Sequence, residues 1–354
     1  MELHDQPQQA DAGRQQKRPQ PRAQHPAGGE PEGRPLLVST LLGHAQVEMA
    51  LLCLGSLLRL TASPLRLRVH DDGTLTAADR ERLAVGLDEP EVVGRREADD
   101  RLAGLLAAHP AARAFRAANP LALKLLDVPL LAAGDELAYC DSDVLFLRPF
   151  HGLFQLPPDA GALFMCDPQH AYSVRSWHLL AEPRLRLAGR VNTGIVAFRR
   201  RLFDLDLAEW FLSRPRYRFA PVWVEQTCWA LLGQAAGCRL LDPAAVGIPV
   251  PGREPPAGQV ALHFVSPVRG LLAPIAARLA ERQTGCEPVA VRSFAAPRLT
   301  AAALAVTELR RRLRRLRPPA RALAHRAVHT TRVTDSRLPT RPASSGDPSR
   351  SRKP

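Results

Sequence analysis

The stretch Glu136-Leu137-Ala138-Tyr139-Cys140-Asp141-Ser142-Asp143-Val144-Leu145-Phe146-Leu147 decides how the chain is read. Leu137 to Cys140 carries no charge, the pattern of a short strand buried on both faces. It runs into two carboxylates at i and i+2 and then turns apolar again. Along a straight strand such a pair shares one face. Where the strand ends and the chain turns, both carboxylates can converge on one hard cation such as Mn²⁺ or Mg²⁺. A solvated turn is the other reading of an isolated Asp-x-Asp, and the motif alone does not choose between the two.

Upstream of this stretch, strands and helices alternate. Residues 36–40 are a short apolar run of strand length, and 65–70 read as a second strand, closed by the turn signal Asp71-Asp72-Gly73. Residues 44–59 read as a helix, and Thr76 with Asp79 three positions on opens another through a capping box. Residues 91–93 are a third strand. Helices are expected over 97–108 and 119–130, the latter capped by Asn119, and 136–140 is the fourth strand. This alternation predicts an α/β fold, a Rossmann-like domain over 35–297 with a mostly parallel central sheet, whose ligands bind at the carboxyl ends of the strands. Further strands are expected at 162–166, 190–198, 239–241 and 260–265, with helices near 203–213 and 223–233.

Composition bounds the function. The formal net charge of +13 over 354 residues invites a nucleic-acid reading, but the charge is not evenly spread. Residues 298–354 hold 15 Arg and Lys against 3 Asp and Glu, while residues 1–34 hold five of each sign, so 35–297 is nearly neutral. That body has no basic patch interleaved with aromatics, which argues against specific nucleic-acid binding. The six cysteines show no CxxC spacing, so neither a zinc site nor a disulfide framework is indicated, and a reducing cytoplasm is expected. Residues 1–34, rich in Gln, Pro and Gly, and 331–354, rich in Ser, Pro and Arg, are expected to be disordered. The chain opens with no apolar signal core and contains no run of eighteen apolar residues.

In a chain skewed toward Ala, Arg, Leu and Pro, rare residue types carry the information. Lysine occurs only at Lys17, Lys124 and Lys353, so Lys124 is the only one in the body. A compact ammonium stands there where Arg is the compositional default, on the helix leading into the Asp141 strand, within reach of a bound phosphate. Asparagine occurs only at Asn119 and Asn192. Asn192-Thr193-Gly194 opens a strand, where Asn is disfavoured, so a hydrogen-bonding role is expected. His263 lies in the apolar run Leu262-His263-Phe264. Alone it reads as a core histidine. With Asp141 and Asp143 it completes a three-ligand metal site with open positions for phosphate oxygens.

Together these features bear a family resemblance. Leu121-Ala122-Leu123-Lys124-Leu125-Leu126 followed by Tyr139-Cys140-Asp141-Ser142-Asp143-Val144 resembles the donor-binding core of retaining glycosyltransferase family 8. That family has the GT-A fold and includes glycogenin and the bacterial lipopolysaccharide galactosyltransferases. The resemblance continues through Asn192-Thr193-Gly194, Glu225-Gln226 and His263 to Arg269. It implies a hexosyltransferase acting on a nucleotide-sugar, UDP-linked, with Mn²⁺ (or Mg²⁺) held by Asp141, Asp143 and His263. It further implies that the Asn192 side chain touches the donor sugar, that Glu225 binds sugar hydroxyls, that Gln226 lies by the anomeric carbon, and that Arg269 meets the diphosphate. Ser39 stands where the family has Asp-x-x-Tyr after the first strand, and Ser39, Asp72, Lys124, Thr193 and Gly194 join the expected donor-binding set. The sequence departs from the family pattern at Glu225 for Asp, Ser266 for Gly, Arg269 for Lys and Gly270-Leu271 for Pro-Trp. Retention of configuration is only implied. An inverting enzyme would need a base, for which Glu225 or Asp167 are the candidates. Arg96, after the third strand, is a further candidate phosphate contact.

Two other readings stand beside this one. A phosphatase of the haloacid dehalogenase type also uses Asp-x-Asp at a strand end, but on the first strand of its domain and not the fourth. A catalytically degenerate transferase that only binds is the non-enzymatic alternative. A saccharide, lipid-linked or protein acceptor is expected. Residues 299–317 carry Leu299, Ala302, Val306, Leu309, Leu313 and Leu316 at three-four spacing among Arg residues, and Pro318-Pro319 stops them. The extension 298–330 is therefore expected to hold a basic amphipathic helix. It either lies on an anionic membrane, giving a cytoplasmic protein peripheral on the inner face, or docks on the body through its Leu stripe.

Overall fold

The computed structural model describes residues 35–280 and 287–316. The expectations for 1–34, 317–330, 331–354 and Cys286 lie outside the described residues. The first half alternates as expected: β1 (Leu36–Leu42), α1 (Val47–Leu60), β2 (Leu65–Asp71), α2 (Ala77–Gly86), β3 (Glu91–Val93), α3 (Arg95–Leu102), α4 (Pro110–Ala118), α5 (Leu121–Leu130) and β4 (Glu136–Cys140). The second half is more broken: β5 (Val144–Phe146), β6 (Phe150–His151), β7 (Ala162–Cys166), α6 (Ser176–Ala181), β8 (Val191–Arg199), α7 (Leu205–Leu212), α8 (Val224–Ala236), β9 (Cys238–Leu241), β10 (Val246–Gly247), β11 (Ala261–His263), α9 (Leu272–Ala280), β12 (Val289–Ala290), β13 (Ser293–Ala295) and α10 (Ala301–Leu316).

Eight strands form one sheet in the order β13-β9-β7-β8-β4-β1-β2-β3. Only β8 and β13 run against the other six, so the sheet is mixed but mostly parallel. Its central strands β4 and β7 are apolar almost throughout because both of their faces are covered. Along β4, Leu137 and Tyr139 enter one core with α4, α5, α7 and α8, while Ala138 and Cys140 enter another with α1. Neighbouring β7 alternates likewise, Phe164 to the first core and Met165 to the second. Two small sheets, β10-β11-β5 and β12-β6, complete the second half.

Three features correct the sequence reading. The helix expected over 97–108 ends at Leu102, and a separate helix, α4, follows. The N-terminus of α4 is capped from across the chain: the Ala111 and Ala112 amides donate to the Glu209 carboxylate of α7, at 2.9 and 2.7 Å. A cap supplied from so far along the chain leaves no local signal. The strand expected over 260–265 is only Ala261–His263. Helix α10 docks on α6, but not through the expected stripe of its own residues: Leu304 is buried, as is Leu299 just ahead of the helix, while Val306, Leu309 and Leu313 are exposed. Among the described residues no helix is long and apolar enough to cross a membrane.

Candidate active site

The carboxyl ends of β1, β2 and β4 open into a cleft of about 1050 Å³ lined by Gly43, Asp72, Asp141 and Asp143, among others. Strand pairing explains what meets there. Asp141-Ser142-Asp143 turns the chain between β4 and β5, closed by Val144 N–H donating to Asp141 O at 3.3 Å. β5 pairs antiparallel with β11, with His263 opposite Val144, and Phe264 N–H donates to Asp143 O. A histidine 120 residues downstream is thereby set against the turn. On the other side β8 runs antiparallel to β4, and Asp141 N–H donates to Gly194 O at 2.8 Å. The β7–β8 register shifts between Phe164 and Met165, so β8 bulges where Asn192-Thr193-Gly194 lies.

Asp141, Asp143 and His263 each offer one ligand atom, all within 4.8 Å of one another, and so could hold a metal ion. The donor set fits a divalent cation, with two carboxylate oxygens and one imidazole nitrogen. The tautomer fits as well. Asn192 Oδ1 accepts from Gly194 N–H and lies 2.9 Å from His263 Nδ1, so Nδ1 carries the proton and donates to it. That leaves Nε2 facing the carboxylates, 3.0 Å from Asp143 and 3.5 Å from Asp141. Burial works against charge on His263, but Asp143 and Asp141 outweigh it and hold its pKa above the usual value. Burial likewise opposes the Asp143 carboxylate, yet His263 and Arg269 bring it down to about 2. Arg269 donates to Asp143 Oδ2 at 2.7 Å.

Lys124 is buried beneath this group. Its ammonium donates to both Asp141 oxygens at 3.0 Å, lies 3.9 Å from Glu225 and sits over the Tyr139 ring. Burial disfavours its charge, but the Asp141 and Glu225 carboxylates overcome that and raise its pKa. The Tyr139 hydroxyl also donates to Asp141, at 2.6 Å. Lys124 is thus a fixed counter-charge that orients Asp141. Lys124→Met is expected to cost roughly 3 kcal/mol in urea unfolding with EDTA present, because it strands buried carboxylates. A loss below about 1 kcal/mol, within the range of an exposed pair, would refute that role.

Glu225 enters from the first turn of α8. Its Oε2 accepts from Thr193 Oγ1 at 3.2 Å, and its Oε1 has no hydrogen-bond partner among the described residues. Burial lifts its carboxyl from the ordinary 4.5 to about 7, against the pull of Lys124. The folded protein therefore holds a proton that the unfolded chain releases near pH 4.5. That contribution to stability is complete below pH 4.5 and is lost as pH rises to about 7. Glu225→Gln is expected to remove roughly 3 kcal/mol of this pH dependence, measured by urea unfolding of both proteins in EDTA. Asp167, which burial raises to about 6, adds a slope of the same sign that is common to both proteins. Identical pH dependence in the two would sink the assignment.

The remaining expected residues divide. Gln226 lines the cleft, its Nε2 donating to Ala171 O at 2.8 Å. Asp72 lines it too, its carboxylate packed on Gly43, where an added Cβ would come within 2.6 Å of Asp72 Cγ. Thr193 holds Glu225, and the Asn192 carbonyl is spent on His263 and Gly194. Ser39 lies within β1, two residues short of the cleft-lining Leu41, and does not line the cleft; β1 runs on to Leu42 before the chain turns. Arg96 is exposed and outside the cleft as well.

Sequence reasoning passed over Arg190, Trp223 and Arg311, all of which line the cleft. Arg190 holds φ of 60°, a strained conformation for a residue with a side chain, and its Nε donates to Asp167 O. Arg311 of α10 lies over the Trp223 ring, 4.4 Å from its centroid. In so Arg-rich a chain, neither arginine stood out.

No family model matches the chain, and no curated protein matches it. Solved structures do. Glycosyltransferases are among them. Mouse xyloside xylosyltransferase 1 in its apo form shares 14% identity at a TM-score of 0.48, over 66% of this chain and 98% of that one. The galactosyltransferase LgtC, in complex with donor and acceptor sugar analogs, shares 14% at 0.43, over 71% and 98%. Core-mannan synthase A of Aspergillus fumigatus, in its Mn/GDP form, shares 13% at 0.39, over 60% and 73%.

Proposed function

We propose that this chain is a hexosyltransferase of the GT-A type, taking its sugar from a nucleotide-sugar, UDP-linked, and passing it to an acceptor hydroxyl. The observation that carries this reading is the convergence of Asp141, Asp143 and His263 at the end of β4, in a cleft that also receives Lys124 and Glu225. In the reaction the bond from the anomeric carbon to the phosphate oxygen breaks, its electron pair leaves with the nucleoside diphosphate, and the acceptor oxygen bonds to carbon and gives up its proton, to the departing diphosphate if configuration is retained or to a cleft carboxylate if it is inverted. Mn²⁺ or Mg²⁺, held by Asp141, Asp143 and His263, would neutralise charge on the departing diphosphate.

The other residues orient and bind. Lys124 and Tyr139 fix the Asp141 carboxylate. Asn192 fixes the His263 tautomer. Arg269, which lines the cleft paired with Asp143, would meet phosphate oxygens. Glu225, with an unpartnered Oε1, offers a hydrogen bond to a sugar hydroxyl, as acceptor when ionised or as donor when it keeps its proton. Gln226 has a neutral amide and cannot act as a base; retention of configuration is what the resemblance at this position implies. The inverting reading rests on Glu225 or Asp167, buried carboxyls in the same cleft that burial raises to about 7 and about 6. NMR assignment of the product anomer separates the two.

The test is isothermal titration with UDP in the presence and absence of Mn²⁺, followed by a hydrolysis screen of UDP-Gal, UDP-Glc, UDP-GlcNAc and GDP-Man. Metal-dependent nucleotide binding and release of one sugar are expected. Absence of metal-dependent binding refutes the reading, and binding without turnover of any donor points to the degenerate alternative.

A further inference from the structure

Arg190, Trp223 and Arg311 line the cleft, and the donor chemistry described so far uses none of them. Sheet order says which half they occupy. The carboxyl ends of β1 and β2 lie on one side of β4, with Gly43 and Asp72; the end of β7 and the start of β8 lie on the other. In a Rossmann-like sheet a nucleotide sits beyond the first strand, on the first of these sides. Asp167 follows β7 and Arg190 precedes β8, so both belong to the second.

Three guanidiniums meet there. Arg190 keeps its strained φ of 60° because its backbone is tied down: Asp167 N–H donates to Arg190 O at 2.7 Å, and Arg190 Nε donates back to Asp167 O at 3.0 Å. Strain of this kind persists where the surroundings over-determine it, and it clusters at ligand clamps. Arg311 reaches in from α10. It donates to His170 O at 2.8 Å and lies over the Trp223 ring, so its plane is fixed before a ligand arrives. Arg314, about one turn further along α10, lines the same cleft. Arg190 and Arg311 both act on His170: burial, and then these two charges, hold its pKa below the usual value.

Little opposes this positive charge. Asp167 faces it, but burial raises that carboxyl to about 6 against the Gln169 amide and Arg311. Among the described residues neither Arg190 nor Arg314 forms an ion pair. The donor diphosphate already has the candidate metal site and Arg269. A neutral acceptor sugar gives three guanidiniums nothing to neutralise. A phosphate or a carboxylate does, through the paired N–H donors of a planar guanidinium.

We propose, resting on the transferase reading, that the β7–β8 half of the cleft selects an acidic saccharide acceptor, whose phosphate or carboxylate is held by Arg190, Arg311 and Arg314.

The test is isothermal titration of the full chain, loaded with UDP and Mn²⁺, with glucose 1-phosphate, glucuronate and glucose. At least one of the two acids is expected to bind roughly tenfold or more tightly than glucose, and which one does so tells phosphate from carboxylate. Arg190→Gly, which also relieves the positive φ, and Arg311→Gln are each expected to lower that affinity by roughly tenfold. Arg312→Gln, exposed on the same helix and outside the cleft lining, should leave it unchanged. A protein that binds no UDP with Mn²⁺ fails the transferase reading, and the acceptor assignment falls with it. With UDP and Mn²⁺ bound, acids that bind no better than glucose overturn the acceptor assignment alone. So does acid binding that both cleft variants leave intact, or that Arg312→Gln lowers equally, or a UDP–Mn²⁺ affinity that falls in step with it.

Discussion

Asp143→Asn is expected to lower metal-dependent hydrolysis of the nucleotide-sugar on the order of a thousandfold. Asp143 is buried, 3.0 Å from His263 Nε2 and 2.7 Å from Arg269. Asparagine keeps its shape and removes its charge, so the loss measures electrostatics and not a cavity. Two positive partners are left without their anion, and a cation would find one carboxylate where two were needed. Mn²⁺ affinity by titration should fall in parallel, while the near-ultraviolet circular dichroism of the fold stays unchanged. Activity within about tenfold of the starting protein, at saturating Mn²⁺, would remove Asp143 from the metal site.

The second large effect is expected at a residue with no side chain. A Cβ added at Gly194 would overlap the His263 imidazole, falling 2.6 Å from Cε1 and 2.9 Å from Cγ. The strand cannot move aside, because Gly194 O accepts from Asp141 N–H and Gly194 N–H donates to Asn192 Oδ1. The ring must yield instead and leave Asp141 and Asp143. Gly194→Ala is therefore expected to weaken Mn²⁺ binding by roughly 10- to 100-fold, the scale of losing the group that orients a ligand. It should cost about 1–3 kcal/mol of stability through overpacking. Combining it with His263→Gly separates the two effects: stability returns because the overlap is gone, while metal affinity stays low. Unchanged affinity in Gly194→Ala alone would mean the imidazole has room to spare.

How much was legible depended on whether the signal was local. Residues 136–140 are a strand in sequence and structure alike, because an uncharged run between charged ends can only be buried whole. Thr76 and Asp79 read as a capping box and form one. Helix α4 escaped because its cap is Glu209, nearly a hundred residues away, and its composition is Ala and Arg. Lys124 and Asn192 stood out by rarity, but their partners did not. Lys124, read from the sequence as reaching a phosphate, lines the cleft tied to Asp141, and Asn192, read as touching a sugar, lines it with its carbonyl holding a histidine.

The sequence by itself determined the α/β alternation and the turn at Asp141-Ser142-Asp143, since each depends on residue types within a few positions of one another, and made His263 a candidate only in combination with that turn. Only the tertiary structure decided that these meet. The β5–β11 register brings His263 to Asp143, and the β4–β8 pairing brings Gly194 to Asp141. The same holds for α10. Its periodicity foretold an apolar stripe but not which way it would face, because a helix with apolar residues on two sides docks by whichever side its neighbours can fill. Here Glu308 and Arg311 are taken by Ser176 and His170, which leaves Leu309 and Leu313 outward.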